Sequence, residues 1–269
     1  MRADINITAK VIADSINRFG NRLTTFAVTH PRILLVDILK HRELSITTVS
    51  NPRLSENVKA NTYFPSAVIR SESTKEVDAE IEDRFRQEWL LGASVMCGIV
   101  ETMDKMSISK RISSRLLESF QYVTSLITAS ELANFFSVAC SSPQHEMQAL
   151  GFKMLAEYVN GLPDSADDHI PFGNQMDYGL SSEEKKLVAC ARCSRIGYGA
   201  LDAKEDLRLA NELIHNKNFN PFEHVARAHI NDTFVGGYRG WIPYRKQIQG
   251  EHVVWIDYEK LLLTRPSFV

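Results

Sequence analysis

The chain has 269 residues, of which 44% are apolar and 24% are charged, and its formal net charge is −2. This composition is typical of a globular protein that is long enough to bury a substantial core. The near-neutral charge gives no global attraction to nucleic acids or anionic membranes, so any anion site has to be a local cluster. Apolar runs such as WLLGASVMCGIV are too short to span a bilayer, and MRADINITAK lacks the apolar segment of a signal peptide. We expect a cytoplasmic protein without nucleic-acid or membrane partners.

The first half of the chain is predicted to begin with strands and to continue mostly as helices. β-Branched residues predict strands over 5–14 and 22–30, and Pro31 predicts the start of an amphipathic helix that reaches Arg42. The polar stretch 50–74 contains two prolines and is expected to form a long loop. Further helices are predicted over 75–105, 108–120, 130–139 and 143–160, with a strand at 121–128.

The second half is predicted to mix helices with short strands. Residues 161–180 are rich in Gly, Pro and Asp and are expected to form a loop. Two capping-box patterns predict helix starts, at Ser181 with Glu184 and at Asp202 with Glu205. Short strands are predicted near 225–235 and 252–258. Because strands and helices do not alternate regularly, the sequence favours one α+β domain over 1–269, with a mixed or antiparallel sheet packed by long helices.

The chain has four cysteines, and only Cys190 and Cys193 form a C-x-x-C pair. A redox motif needs a strand-to-helix context, and a zinc site needs a second pair of ligands. Neither is visible, and the surrounding VACARCSRIGY predicts a helix. The sequence therefore favours packed thiols, also for Cys140, and no metal site is expected.

The segment KHRELSITTVSNPR, residues 40–53, combines cationic side chains with several hydroxyls. Asp37, Lys40 and His41 have the spacing that places them on one face at the end of the predicted helix. Taken alone, the pattern favours a solvated helix end, where cations complement the helix dipole. A site for a polyanion is the alternative interpretation.

Two other segments carry clustered cations. In the segment YRGWIPYRK the cations alternate with aromatic side chains that could stack on a base or simply fill an edge of the core. Three cationic clusters on a chain of net charge −2 favour a single phosphate-rich ligand more than any one of them does. The cations of the two clusters are Lys110, Arg111 and Arg115 in KRISSRLLESF, and Arg239, Arg245 and Lys246 in YRGWIPYRK. The chain has no phosphate loop, dinucleotide fingerprint, nucleophile elbow or zinc helix, so spacing alone indicates no reaction.

Five segments together resemble blocks of one family, the flavin-dependent (alternative) thymidylate synthases, and specifically its phage-like branch. LKHRELSITTVSNPR is similar to the family signature, in which basic residues flank a histidine and x-x-S-x-N-E-x-S-x-R follows. SRLLESFQYVTSLITASELANFFSVAC is similar to the N-R-L-L-E-P-F…T-A-T-E-W-E-N-F-F-x-L-R-C block. VACARCSRIGY, NPFEHVA and YRGWIPYRK are similar to later blocks, in the same order, and the likeness covers roughly residues 8–250.

The resemblance implies an α+β homotetramer with active sites shared between subunits, located in the host cytoplasm if a phage encodes it. In this family FAD accepts hydride from NADPH, methylenetetrahydrofolate supplies the carbon, and C5 of dUMP receives it. No protein nucleophile is required, because the flavin carries the redox chemistry and the protein supplies position and electrostatics.

The resemblance also implies site residues at the matching positions. His41 and Arg42 match the basic pair that holds FAD, and Lys40 replaces the usual first arginine. Asn134 matches an asparagine that contacts the flavin, and Ser130 lies where a hydroxyl or basic residue occupies the same FAD-contacting turn.

On the nucleotide side, the resemblance implies a smaller set of contacts. Ser50 matches the serine beside the nucleotide, and Asp37 lies near a Gln or Glu that contacts it. Arg115 matches the arginine that grips the nucleotide phosphate, a role suited to its planar fork.

The chain departs from the family pattern at three places. Thr47 and Thr48 replace Asn and Glu of the signature. The last arginine of the signature falls on Pro52, and Arg53 follows one residue late as a possible substitute. Ala139 replaces the arginine that favours ionisation at N3 of the uracil, and losing a cation there is expected to slow the standard reaction.

Three hypotheses accommodate these departures. In the first, the protein methylates dUMP and another cation, such as Arg53 or one from a neighbouring subunit, replaces the lost arginine. In the second, it acts on a dCMP-type nucleotide or leaves a hydroxymethyl group, because N3 of cytosine carries no proton and Ala139 leaves room for a changed exocyclic group. In the third, it is a non-catalytic protein that binds the nucleotide or the flavin.

Overall fold

The computed structural model describes residues 6–48, 54–66, 78–173, 179–196, 202–249 and 251. A five-stranded sheet lies at its centre, in the order β3-β4-β2-β1-β5. Its strands are β1 (Thr8–Ile16), β2 (Arg22–Pro31), β3 (Leu44–Thr48), β4 (Tyr122–Ala129) and β5 (Asp164–Ser165). All neighbours pair antiparallel except β1 and β5, which are parallel. The strand β3 therefore lies at an edge of this sheet, with β4 as its partner.

One face of the sheet packs against the helices α5 (Ala133–Cys140) and α6 (His145–Asn160). Alternate residues of the strands, such as Phe26 and Ile127, meet Phe135 and Leu150 in the main core, and all four are at most 1% exposed. Each large apolar side chain buried in this way contributes roughly 1.5–3 kcal/mol. This core fixes α5 directly against the sheet.

A short helical segment links the second and third strands. It consists of a 3-10 helix at Arg32–Leu34 followed by α1 (Leu35–Leu39). The predicted helix from Pro31 to Arg42 is therefore too long, because the chain has to turn after Leu39 to enter β3 at Leu44. This turn holds Lys40, His41 and Arg42.

A group of helices lies beside the sheet and has its own small core of Val58, Cys97 and Leu117. The longest helix begins after Asp78, whose side chain accepts a hydrogen bond from the amide of Glu80. No helix among the described residues has the length and apolar character needed to cross a membrane. The elements are α2 (Leu54–Ala60), α3 (Ala79–Lys105), α4 (Lys110–Ser113) and a 3-10 helix at Ser114–Phe120.

The C-terminal half forms a layer over the other face of the sheet, where Leu23 packs against Tyr238 and Trp241. This layer contains a three-stranded sheet in the order β10-β7-β6 and the hairpin of β8 and β9. Its helices are α7 (Ser182–Cys193) and α8 (Ala203–His215), with 3-10 helices at Asn220–Glu223 and Tyr244–Gln247. Its strands are β6 (Asp168–His169), β7 (Ala226–Ala228), β8 (Phe234–Val235), β9 (Tyr238–Arg239) and β10 (Trp241–Pro243).

The α+β prediction is confirmed, and so are both predicted helix starts. Ser181 forms a complete capping box with Glu184, and the Asp202 side chain accepts a hydrogen bond from the amide of Glu205. The predicted C-terminal strand at 252–258 lies outside the described residues.

Three further local predictions are wrong. The predicted loop 50–74 contains α2. Its sequence is polar around the buried Val58, which packs against α3, so its helical periodicity is weak. The predicted helix 108–120 is mostly a 3-10 helix, and the predicted loop 161–180 contributes β5 and β6, which are only two residues each. Such short strands form through pairing with distant strands, which local composition does not reveal.

The C-x-x-C cysteines lie in a helix, as predicted, and both are fully buried free thiols. Burial raises the pKa of Cys190 and of Cys193, which keeps both as thiols rather than reactive thiolates. The prediction of packed thiols is confirmed for this pair.

Candidate functional site

Pairing of β3 with β4 brings together the two sequence blocks that the resemblance singled out. Leu44 lies opposite Ala129 and Thr48 opposite Ser125, so residues about 80 positions apart in the chain become direct neighbours. The turn that precedes β3 and the turn that follows β4 therefore lie at the same end of the sheet. These two turns hold His41 and Ser130.

His41 joins the first block to α5. Its ring lies 4.9 Å from the ring of Phe135, edge to face, and partial burial lowers the pKa of the imidazole. His41 is therefore neutral at neutral pH. Asn134, the neighbour of Phe135 in the chain, is exposed.

Arg42 is exposed, and the side chains of Arg42 and Asn134 make no hydrogen bond or ion pair with another described residue. A guanidinium and a side-chain amide of this kind provide donors for an anionic or carbonyl-bearing ligand. The predicted cofactor role of His41, Arg42 and Asn134 stays a prediction.

Ser130 is engaged by the C-terminal layer. Its hydroxyl accepts a hydrogen bond of 2.8 Å from the backbone N–H of Arg239. The Arg239 guanidinium in turn makes two 2.9 Å hydrogen bonds to Asp232, and Glu131 lies 3.8 Å away. The aromatic and cationic segment 238–246 thus meets the Ser130 turn, but the charge of Arg239 is already neutralised.

Lys40 and Asp37 form a solvated ion pair. The Lys40 ammonium lies 2.6 Å from a carboxylate oxygen of Asp37, and 70% of the lysine side chain is exposed. Such a pair contributes little to stability. For these two residues the geometry matches the interpretation as a solvated helix end.

Arg115 lies at the other end of the Arg32–Leu39 helical segment from His41. It is 3.5 Å from Glu118, and Glu118 is also 3.5 Å from Arg32 at the start of that segment. The eight helical residues Arg32–Leu39 lead from Arg32 to the turn that holds His41 and span roughly 12 Å at 1.5 Å per residue. A ligand that contacts both Arg115 and His41 of one chain must be an extended one, or two ligands must lie side by side.

The hydroxyls that replace Asn and Glu of the signature are both used inside the protein. Thr47 donates to Oδ1 of Asn220 at 3.0 Å and accepts from Nε2 of His224 at 2.7 Å. The hydroxyl of Thr48 lies 2.7 Å from that of Ser125, which lies 2.9 Å from Nε2 of His30. Thr47 and Thr48 are therefore structural residues of β3 in this chain.

The space expected beside Ala139 is absent. Ala139 is fully buried, and a Cβ placed on Gly151 of α6 would lie only 2.8 Å from the Ala139 Cβ. The two small residues allow α5 and α6 to approach closely. The expectation that Ala139 makes room for a changed exocyclic group is therefore wrong, because α6 fills that space.

Ser50, Pro52 and Arg53 lie outside the described residues, so their roles stay predictions. The sequence did not single out His30, His169 or His224, which the structure places at the ends of strands or helices, fully buried. The available signal was the set of threonines on neighbouring strands, since buried hydroxyls need partners.

A separate cleft of about 310 Å³ lies between β6, β7 and α7. Its Lys186 is almost fully buried and pairs with Asp168 at 3.2 Å and Glu183 at 3.0 Å. None of the predicted site residues that the structure describes lines this cleft, whose lining includes Arg18, Asp167, Asp168, Lys186, Arg227, Ala228 and His229.

No protein-family model matches the chain, and no curated protein matches it. Similar solved structures include a UMP/dUMP methylase, PolB from Streptomyces cacaoi, bound with 5-Br UMP or with 5-Br dUMP. The structure with 5-Br UMP is 16% identical to this chain, and the match covers 58% of this chain and 89% of that one. The structure with 5-Br dUMP is 15% identical, and the match covers 59% of this chain and 92% of that one. Both have a TM-score of 0.49. At this identity and TM-score the likeness assigns no activity to this chain.

Proposed function

We propose that this chain binds FAD and a deoxypyrimidine 5′-monophosphate and methylates the pyrimidine at C5, converting dUMP to dTMP. Methylenetetrahydrofolate would supply the carbon and NADPH the hydride. The resemblance of five ordered sequence blocks motivates the proposal. The observation that carries it is the contact of His41 with Phe135, which joins the two blocks that would hold the flavin.

The residues at this position suit a flavin dinucleotide. Arg42 offers a phosphate a cation that no described residue pairs with, and the exposed amide of Asn134 can both donate and accept hydrogen bonds, as a flavin ring edge requires. His41, neutral and held by Phe135, adds a directed donor without a competing charge. The bound flavin would supply hydride transfer, while these side chains bind and orient it.

Arg115 would hold the phosphate of the nucleotide. Its guanidinium is 69% exposed and only 3.5 Å from one carboxylate, so a phosphate can displace that weak contact. The Arg115→Met variant is expected to raise the KM for the nucleotide about 10- to 100-fold, the effect of one lost hydrogen bond to a charged group. Steady-state kinetics over a range of dUMP concentrations measure it.

The matched control is Arg208→Met, which removes an equally exposed arginine, paired with Glu212 on α8. It is expected to leave the KM unchanged. Equal KM values for wild type and the Arg115→Met variant would remove Arg115 from the nucleotide site.

A second candidate function is supported by the burial of Ala139. No cation can act from this position to stabilise an ionised N3, and cytosine has no N3 proton to lose. A dCMP-directed reaction, whether it leaves a methyl or a hydroxymethyl group, would need no arginine there. A non-catalytic protein that binds the same ligands is the remaining alternative.

Mass spectrometry of the products separates these functions. The purified protein is incubated with FAD, NADPH, methylenetetrahydrofolate carrying a labelled methylene carbon, and either dUMP or dCMP. The proposal expects labelled dTMP from dUMP. A labelled product from dCMP alone, or a hydroxymethyl product, establishes the second candidate, and bound ligands without any product establish the non-catalytic one.

The homotetramer with shared active sites is part of the same proposal. The long helix α3 carries an apolar stripe of Leu91, Val95 and Ile99, which are 60%, 50% and 39% exposed. They recur every four residues and therefore lie on one face, and the exposed Ser94 and Gly98 beside them allow a second helix to approach closely. An equivalent helix of another subunit fits this stripe.

The double variant Leu91→Glu/Val95→Glu is expected to yield a smaller species than wild type, because two carboxylates would be buried in the subunit contact. Size-exclusion chromatography with light scattering measures the mass. The control Leu162→Glu makes the same change at a leucine that is 92% exposed after α6. An unchanged mass for the double variant would show that this stripe does not join subunits.

A further inference from the structure

Seven side chains form one continuous chain of hydrogen bonds from Ser15 of β1 to Asn220. Four of them lie on strands of the sheet, and this hydrogen-bond chain reaches the C-terminal layer at three places, His169 of β6, His224 and Asn220 of the 3-10 helix Asn220–Glu223. In the first half, Ser15 Oγ lies 2.9 Å from His169 Nδ1, His169 Nε2 lies 2.8 Å from the Thr25 hydroxyl, and the Thr25 hydroxyl lies 2.6 Å from that of Thr128. In the second half, the Thr128 hydroxyl lies 2.8 Å from His224 Nδ1, His224 Nε2 lies 2.7 Å from the Thr47 hydroxyl, and the Thr47 hydroxyl lies 3.0 Å from Asn220 Oδ1.

The direction of every hydrogen bond in this chain follows from its last link. Oδ1 of Asn220 is an acceptor, so Thr47 uses its single proton there and must accept from Nε2–H of His224. Nδ1 of the neutral His224 is then an acceptor, and Thr128 must donate to it. Each further hydroxyl has a single proton to donate, and a neutral imidazole has one N–H donor and one acceptor nitrogen.

The same reasoning runs through to the first residue. Thr128 has given its proton to His224, so it accepts from Thr25, and Thr25 accepts from Nε2–H of His169. Nδ1 of His169 therefore accepts from Ser15. All six hydrogen bonds point from Ser15 to Asn220, and both histidines carry their proton on Nε2.

Burial makes this arrangement rigid. His169, Thr25, Thr128 and His224 are all 0% exposed. Water therefore cannot replace a broken link at these positions, and no single bond can reverse without reversing all the others. Linked hydrogen bonds of this kind also strengthen one another.

The last donor of this hydrogen-bond chain, Thr47, lies on β3, the strand that leads away from the His41–Arg42 turn. β3 is an edge strand with β4 as its partner, and it begins two residues after Arg42. Its backbone pairs with a described strand on one side only, so hydrogen bonds of its side chains supply the remaining attachment. The hydrogen bonds of Thr47 to His224 and Asn220 attach β3 to the C-terminal layer.

We propose that Thr47 and His224 are positioning residues, and that the directed chain behind them sets the position of β3 and so of the His41–Arg42 turn for ligand binding. The inference rests on the proposed function for the identity of the ligand. It also gives a reason for Thr47 at a position where the family signature has asparagine, since the hydroxyl serves as the last donor of the chain.

Thr25→Val breaks the chain in the middle, at a residue on a strand that does not belong to the candidate site. Thr24→Val is the matched control, because Thr24 is also 0% exposed and makes one hydrogen bond, to Asp14 at 2.9 Å, outside the chain. Both variants lose one buried hydroxyl and are expected to lose similar stability. Only Thr25→Val is expected to alter His224 and the ligand site.

Nitrogen-15 NMR of the histidine rings tests the chain without any ligand. In wild type both His169 and His224 are expected as neutral Nε2–H tautomers, and Thr25→Val is expected to shift the ring signals of His224, with which Thr25 makes no direct hydrogen bond. Thr24→Val should leave them in place. A Nδ1–H tautomer at either histidine, or an unmoved His224 signal, overturns the directed chain.

Titration with FAD tests the positioning role. Thr25→Val is expected to weaken FAD binding about tenfold relative to Thr24→Val, the effect of roughly 1.4 kcal/mol. Equal FAD affinity of the two variants overturns the positioning role. If wild type does not bind FAD, the proposed function is contradicted, and the NMR result alone decides whether the hydrogen bonds have the stated directions. If Thr25→Val does not fold, Ser15→Ala removes only the first donor and has the same expected shifts.

Discussion

Lowering the pH from about 7.5 to about 5.5 is expected to destabilise the folded protein by about 4 kcal/mol. Burial lowers the pKa of His30 to about 4 and the pKa values of His169 and His224 to about 3, compared with 6.5 for an ordinary histidine. The unfolded chain therefore binds three protons in this range that the folded chain does not bind. Each contributes about 1.4 kcal/mol per pH unit below pH 6.5.

The sign of the effect is fixed by the direction of these shifts. A folded-state pKa below the unfolded value means that the stability is fully present above about pH 6.5 and falls as the pH drops toward the folded-state pKa values. Carboxylates with lowered pKa values, such as Glu183, lose their contribution only below about pH 4.5 and do not overlap with this range. Urea denaturation at several pH values measures the free energy of unfolding.

Two variants distinguish the contribution of the buried histidines to this pH dependence from the contribution of other groups. His30→Gln is expected to reduce the pH dependence between about 7.5 and 5.5 by one third, because it removes one of three buried imidazoles. His215→Gln changes an exposed histidine at the end of α8 and is expected to leave the slope as in wild type. A free energy of unfolding that stays constant over this range would show that these histidines are protonated in the folded protein.

The substitution Ala139→Arg introduces the arginine of the family that the sequence resembles, and it is expected to destabilise the protein by at least about 4 kcal/mol rather than to improve activity. Ala139 is fully buried against α6, and the two helices approach so closely at Gly151 that no space remains for a larger side chain. The substitution would overpack the core and bury a cation without a partner. Since whole domains are stable by only about 5–15 kcal/mol, much of the variant is expected to be unfolded or aggregated.

The control for this prediction lies one residue earlier on the same helix. Val138 is 50% exposed, so Val138→Arg is expected to change the stability by no more than about 0.5 kcal/mol. Denaturation monitored by circular dichroism compares the two variants. An Ala139→Arg protein that folds with wild-type stability and gains activity on dUMP would show that this position does reach the site.

The sequence predicted those parts of the fold whose signals are local. The β-branched runs that became β1 and β2, and the capping residues Ser181 and Asp202, act within a few residues of the chain and were found correctly. The sequence did not reveal β5 and β6, because a two-residue strand exists only through its pairing with β1 or β7. Non-local pairing has no signature in local composition.

The candidate site shows the same difference between local features, which the sequence predicts, and contacts between distant segments, which it does not. Position-by-position matching placed His41 and Asn134 in one site, which stays a prediction, and the structure shows His41 in contact with Phe135, the neighbour of Asn134 in the chain. The burial of Ala139 and the internal hydrogen bonds of Thr47 could not be predicted, because they depend on α6 and on His224, which are far away in the chain. A substitution in a motif can therefore reflect packing rather than a change of ligand.

The measurement that tests the central claim most directly is the retention of flavin by the purified protein. The protein is incubated with FAD and dUMP, freed of unbound ligand, and examined by visible absorption, in parallel with the Arg42→Met variant and the exposed control Arg208→Met. We expect a stoichiometric flavin spectrum for wild type and for Arg208→Met, and a much weaker one for Arg42→Met. A colourless wild-type protein whose melting temperature is unchanged by FAD, dUMP and dCMP would contradict the account.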